Sequence, residues 1–147
     1  MNNMRLIKFE IVTPEKVVLK EEITQITVPT RDGEITVLPG HIPLIASLKP
    51  GVIEVKKENG EVEIMATSGG FIEVLKDKIV ILADTAERAA DINIEKANEA
   101  RLRAEEAKER AQHEEHIELA EVSANIAKEA ARTKAYDRWK KIKSLKD

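Results

Sequence analysis

The 147-residue chain contains no cysteine, and none of its six glycines and five prolines lies beyond Gly70. The first absence excludes a disulfide framework, a thiolate metal site and a cysteine nucleophile, and leaves the redox compartment open. No run approaches the roughly 20 apolar residues that cross a bilayer, and the opening Met1-Asn-Asn-Met-Arg-Leu-Ile lacks a long apolar segment, so membrane association must come through a partner. Charge of one sign is also missing. With 24 basic and 27 acidic residues the net charge is −3, so bulk electrostatics do not point to nucleic acid. Serine is scarce, and Ser47, Ser68, Ser123 and Ser144 all lie outside any nucleophile motif. What is present is 42% hydrophobic residues, enough for at least one packed core in one or two small domains.

The loss of glycine and proline after Gly70 divides the chain. Before it, apolar residues alternate with period two: Ile7, Phe9 and Ile11; Val17 and Leu19; Ile26 and Val28; Val62, Ile64 and Ala66; Ile72 and Val74. That is the pattern of half-buried antiparallel strands. Asn59-Gly60 between two such runs predicts a hairpin with a type I′ turn, in which both central residues take positive φ. Arg31-Asp-Gly33 is a similar punctuation mark. Eight to ten short strands follow, forming an all-β sandwich over roughly residues 4 to 84, with the doubly apolar Ile79-Val-Ile-Leu-Ala83 as a central strand.

From Asp91 the period becomes helical. Asp91 or Asn93 can cap a first helix whose stripe reads Ile94, Ala97, Ala100 or Arg101, Ala104, Ala107 and Ala111; a second stripe reads Ile117, Ala120, Ala124, Ala127, Ala131 and Ala135. Alanine lining favours a close antiparallel two-helix hairpin joined near Gln112-His-Glu-Glu-His116, with one continuous helix as the alternative. The expected units are residues 1–86, a docking domain, and 87–147, a helical regulatory domain. An alanine face buries little area at roughly 25 cal/mol per Å², so the hairpin should be held weakly and able to open. Opened, a helix of about 27 residues would reach about 40 Å. Its tip is cationic: Arg132, Lys134, Arg138, Lys140, Lys141, Lys143 and Lys146 alternate with Tyr136, Trp139, Ile142 and Leu145. Such a segment suits an acidic protein face, anionic lipid or nucleic acid, or it is a solvated helix end complementing the macrodipole.

Chemistry-bearing motifs are sparse. Leu38-Pro-Gly-His-Ile-Pro43 cannot be helical, because proline fixes φ and pushes the preceding residue to extended geometry. It forms a stiff loop presenting His41 outward, to dock a partner or as a plain loop histidine. Catalysis by His41 would need an orienting carboxylate and a nucleophile, and its surroundings supply no such set. His113 and His116 form His-Glu-Glu-His rather than the His-Glu-x-x-His of a zinc protease, and read as a solvated turn. Gly69-Gly70 lacks a phosphate-cradling pattern and reads as a strand bend.

The stretch Glu34-Ile-Thr-Val-Leu-Pro-Gly-His-Ile-Pro-Leu-Ile-Ala-Ser-Leu-Lys-Pro-Gly51, followed by Ala66-Thr-Ser-Gly-Gly-Phe-Ile-Glu-Val74 and Ile79-Val-Ile-Leu-Ala-Asp-Thr-Ala-Glu-Arg88, resembles the epsilon subunit of bacterial F-type ATP synthases. The resemblance implies a non-catalytic rotor subunit whose sandwich clamps the γ subunit and the c-ring, coupling ion flow to ATP synthesis. By carry-over, Glu34, Pro39, Gly40, His41, Ile42 and Pro43 face the c-ring. The extended tail would set Arg132, Lys134, Arg138, Lys140 and Lys141 against acidic segments of the α and β subunits, restraining hydrolysis. Some relatives bind regulatory ATP through Ile/Leu-Asp-x-x-Arg-Ala. Here Ile92, Asn93, Lys96 and Ala97 occupy those positions, and lysine lacks arginine's planar fork, which argues against that cofactor. The implied location is the cytoplasmic side of a bacterial cell membrane, peripheral, since no transit peptide precedes the chain. The patterning alone also fits a stand-alone β-sandwich binding module with a helical recognition tail.

Overall fold

A computed structural model describes residues 5–113 and 118–146. Nine strands occur among them: β1 (Ile7–Val12), β2 (Val17–Thr30), β3 (Gly33–Val37), β4 (Leu44–Leu48), β5 (Gly51–Lys57), β6 (Val62–Thr67), β7 (Gly70–Val74), β8 (Lys78–Ala83) and β9 (Ala86–Arg88). A 3-10 turn at Ala89–Asp91 leads to helices α1 (Ile94–Ala111) and α2 (Leu119–Lys146). This is a β-sandwich followed by an antiparallel helical hairpin, and not one continuous helix.

The 14-residue β2 belongs to both layers. Its first half pairs with β1, its second half with β3 and β5, and Thr30 reaches Leu48 of β4. One layer is therefore β1, β8, β7 and β4, and the other β3, β5, β6 and β9, with β2 closing both. The ladders are antiparallel except β1 with β8, which is parallel. Phe9, Ile11, Ile23, Ile26, Val28, Ile53, Ile72, Ile79 and Ile81 fill the space between the layers and are almost completely buried. Each sits on the inward parity of its strand, as a period of two requires, except that β2 changes parity at the register shift between Ile23 and Gln25, so that Ile23 and Ile26 both face in. Val17 departs from the expected alternation and is exposed, because the ladder shifts register beside Val12.

The hairpin at Asn59-Gly60 also departs from expectation. Gly60 alone has positive φ, +85°, and its N–H donates to the Lys57 carbonyl at 3.0 Å. That describes a three-residue loop with a type I turn and a left-handed glycine, not a type I′ turn. Asn59 is instead used through its side chain, whose Oδ1 accepts from Glu61 N at 2.9 Å.

β8 is central, between β1 and β7, but Leu82 on its outer face is exposed. The strand buried on both faces is β6. Met65 points into the sandwich, while Ile64 and Ala66 point outward into a second cluster with Ala89, Ile92, Ala97 and Ala135. Helix α2 covers the outer faces of β5 and β6, and α1 packs on α2. The Asn93 side chain caps α1, accepting from Lys96 N at 3.1 Å. Ala97, Ala104 and Ala111 are its buried residues, two turns apart. The α2 stripe differs from the expected one: Ala120 and Ala124 are exposed, and Val122, Ala131 and Ala135 are buried. Burying a valine removes more apolar area than burying an alanine, so the helix rolls toward Val122. His116 and Ile117 lie outside the described residues.

Candidate partner interface

The loop between β3 and β4 is built by Pro39 and Gly40. The His41 N–H donates to the Leu38 carbonyl at 3.2 Å, and Gly40 has φ +82°. Proline at the second and a left-handed glycine at the third position define a type II turn. The turn does not present the histidine as expected. His41 is half-buried, and its Nδ1–H donates to the Ile42 carbonyl at 2.6 Å, which fixes the ring. What the loop exposes is apolar, with Leu38 54% and Ile42 75% exposed, next to an exposed Pro43 and a half-buried Pro39. Glu34 is exposed at the other end of β3, so about 13 Å of strand separates it from Leu38.

The same apolar surface continues onto the outer face of β4, β7 and β8. Register places Ser47, Phe71, Leu82 and Val12 in one cross-strand row and Ile45, Glu73, Val80 and Glu10 in the next. Ile45, Phe71 and Leu82 are more than half exposed. The sequence marked these positions faintly: Phe71 and Leu82 are apolar at the parity where a half-solvated strand carries polar residues. A face of this kind, beside a loop tipped with Ile42, is the signature of a contact surface.

The opposite layer is covered by the tail. Arg132 of α2 reaches Glu87 of β9 through a two-pronged contact, Nε to Oε2 at 2.8 Å and Nη2 to Oε1 at 3.3 Å, while Nη1 meets Glu129 Oε2 at 3.0 Å. Burial alone would lower the Arg132 pKa, but the hydrogen bonds and charges of the two carboxylates outweigh it and raise it. Farther along, Arg138 meets Glu54 of β5 at 3.4 and 3.5 Å, in a more exposed position. Exposed Lys134 and Lys141, with Lys49, Glu34 and Pro29, rim a groove of about 710 Å³ between α2 and the sheet. Lys140 lies 5.8 Å from the Tyr136 ring centre and Lys143 5.0 Å from that of Trp139. The five tail cations are thus in different settings: two paired to the sandwich, two at the groove and one over an aromatic ring.

Ile92 and Ala97 are buried in the cluster beneath α2, Asn93 is occupied as a cap, and Lys96 is exposed. His113 is exposed near Glu106, Glu109 and Arg110. Among the described residues no three His, Asp or Glu side chains are grouped to hold a metal, and no helix is long and apolar enough to cross a membrane.

Residues 6–89 match the family described as ATP synthase, Delta/Epsilon chain, beta-sandwich domain. The chain is 50% identical over 99 residues to the ATP synthase epsilon chain of Desulforamulus reducens, covering 67% of this chain and 74% of the relative. With that of Moorella thermoacetica it shares 39% identity over 132 residues, 90% of this chain and 97% of the relative. Among solved structures it resembles a chain of the Euglena gracilis mitochondrial ATP synthase, OSCP/F1/c-ring, with TM-score 0.69 and 29% identity over 88% of this chain and 79% of that one. A chain of the Tetrahymena thermophila enzyme, central stalk and c-ring, shares the fold at TM-score 0.57 and 16% identity, with 88% and 96% covered. The match spans the sandwich that carries the contact surface and extends through both helices, and so the chain belongs to the ATP synthase epsilon family, as a non-catalytic subunit of that enzyme.

Proposed function

We propose that the sandwich is the coupling clamp of the rotor, held between the γ subunit and the c-ring, and that the hairpin is a releasable brake on ATP hydrolysis. The observation that carries the clamp is the exposed apolar surface of Ile45, Phe71 and Leu82, borne on β-strands that cannot rearrange without breaking the core, together with Ile42 on the adjoining proline-stiffened loop. A stiff, apolar surface suits a load-bearing contact. Within it, Ile42 and Pro43 with Leu38 supply the c-ring side, on the turn set by Pro39, Gly40 and His41, and Glu34 supplies a separate polar contact. The outer face of β4, β7 and β8 supplies the γ side. The unit division set between residues 86 and 87 falls inside β9, and pairing with β6 keeps Glu87 and Arg88 with the sandwich.

The brake is supported by what holds the tail: one small cluster in which alanines meet Ile64 and Ile92, edged by Tyr136, Trp139 and Ile142, and a few ion pairs. Released, the 28-residue α2 is about 42 Å long and could carry Arg132, Lys134, Arg138, Lys140 and Lys141 to acidic segments of the α and β subunits. The bacterial relatives support a peripheral position on the cytoplasmic side of a bacterial cell membrane, with attachment through the complex. The test is ATP hydrolysis by the reconstituted enzyme, with the full chain and with a chain ending at Ala90, alongside γ binding. Retained binding with faster hydrolysis supports both roles. Unchanged hydrolysis removes the brake, and failure of the full chain to bind γ removes the clamp.

A further inference from the structure

The contacts that seat α2 on the sandwich are unequal. The apolar part is a small cluster of Ile64, Ala66, Ala97 and Ala135 edged by Trp139 and Ile142. Of the two arginine pairs, Arg138 with Glu54 is long and open to water, its side chains 51% and 32% exposed. Exposed pairs of this kind contribute little and are screened by salt. Arg132 is different. Its side chain is 21% exposed against 37% for Glu87 across the seam, and Glu129, one turn back on the same helix, is 13% exposed and holds the guanidinium by Nη1. That leaves the Nε and Nη2 edge free to meet a second carboxylate, and Glu87 meets it two-pronged. Arginine's planar fork makes such a contact stronger and more directional than a single charge pair.

We infer that Glu87 is the catch that holds the hairpin closed, by gripping an Arg132 that Glu129 has already aimed. Helix α2 carries the Arg132–Glu129 pair with it when it leaves, so of the contacts made by Arg132 undocking breaks only the one to Glu87. This deepens the proposed brake by naming what regulates the tail. The arginine that would serve an acidic partner is occupied by the chain's own sandwich, so docking and partner engagement draw on the same guanidinium and exclude each other.

The chain has no cysteine, so one introduced thiol reads opening directly. Ala135 is fully buried under the docked helix, and in the isolated full-length A135C chain its labelling by a small thiol reagent requires undocking. With opening in fast equilibrium, the labelling rate scales with the open fraction. We expect Glu87→Gln to raise that rate about fivefold and Glu54→Gln less than twofold. In an Arg132→Gln background, Glu87→Gln should add nothing. Arg132→Lys, which keeps the charge and loses the fork, should fall between wild type and Glu87→Gln. Equal effects of the two glutamate variants, or additive effects of Glu87→Gln and Arg132→Gln, would overturn the catch. A thermal melt of each variant checks that the sandwich is intact. None of these measurements uses the ATP synthase, so failure of the brake in the hydrolysis assay and failure of the catch are separate results.

Discussion

Ala135→Leu isolates the seam between tail and sandwich. Ala135 is completely buried, and its cluster is made of Ile64, Ala66, Ala89, Ile92 and Ala97. Three added carbons would gain about 2.4 kcal/mol of burial if space existed, at about 0.8 kcal/mol per methylene. A fully enclosed alanine leaves none, so the sign is set by overpacking, which costs about 1–3 kcal/mol. None of the cluster residues belongs to the core between the layers, so the cost falls on docking and not on the sandwich. The ratio of docked to released tail should drop roughly 5- to 150-fold. A thiol at A66C, on β6 beneath α2, reads that drop as faster labelling, while a thermal melt reads the sandwich. If labelling does not accelerate, or if the melt falls as far as the docking does, the seam is not the separable, small-residue contact described here.

Three further outcomes follow from the geometry. Gly70→Ala should destabilise the sandwich by about 2–4 kcal/mol in denaturant unfolding, because φ is +136° and a Cβ would fall on the Leu82 carbonyl oxygen and 2.8 Å from Ala83 Cα. Ile42→Asp should leave stability within about 0.5 kcal/mol, since Ile42 is 75% exposed, yet weaken c-ring binding about tenfold or more in a pull-down titration. The Arg132 pKa is raised, so its contribution to docking is complete below the free arginine value and is lost only above the docked one. A135C labelling, corrected for thiol ionisation, should therefore be flat from about pH 6 to 9. A slope in that range would show that some other group controls docking.

The β layer was legible because period-two alternation is a direct consequence of one buried face: Ile7, Phe9, Ile11, Ile26, Val28, Ile72 and Val74 all point inward. The family motifs were legible as well. Two things were not. Ile64 and Ala66 alternate like any half-buried strand, but the face they define packs on α2, and only tertiary placement says which side of β6 meets which layer. In the tail, alanine is a good helix former whether buried or exposed, so its spacing could not separate Ala131 and Ala135 from Ala120 and Ala124. The candidate surface was half visible. Proline and glycine dictated the turn at Leu38–His41, whereas the half-buried setting of the His41 ring, bonded to the Ile42 carbonyl, and the exposure of Ile42 do not follow from those two residues. The pairing of Glu87 with Arg132 carried no signal, because the two lie 45 positions apart.

The central claim is that a docked tail must leave the sandwich before it can restrain hydrolysis. Locking it tests this most directly. Glu54 and Arg138 touch across the gap between β5 and α2, so E54C and R138C can be bridged by a short bis-maleimide in a chain with no other thiol. ATP hydrolysis by the enzyme reconstituted with the bridged chain should rise to the rate seen with the chain ending at Ala90, while the same variant left unbridged, short of one of the five tail cations, stays more inhibited than the bridged one. Equal inhibition with and without the bridge would contradict the account.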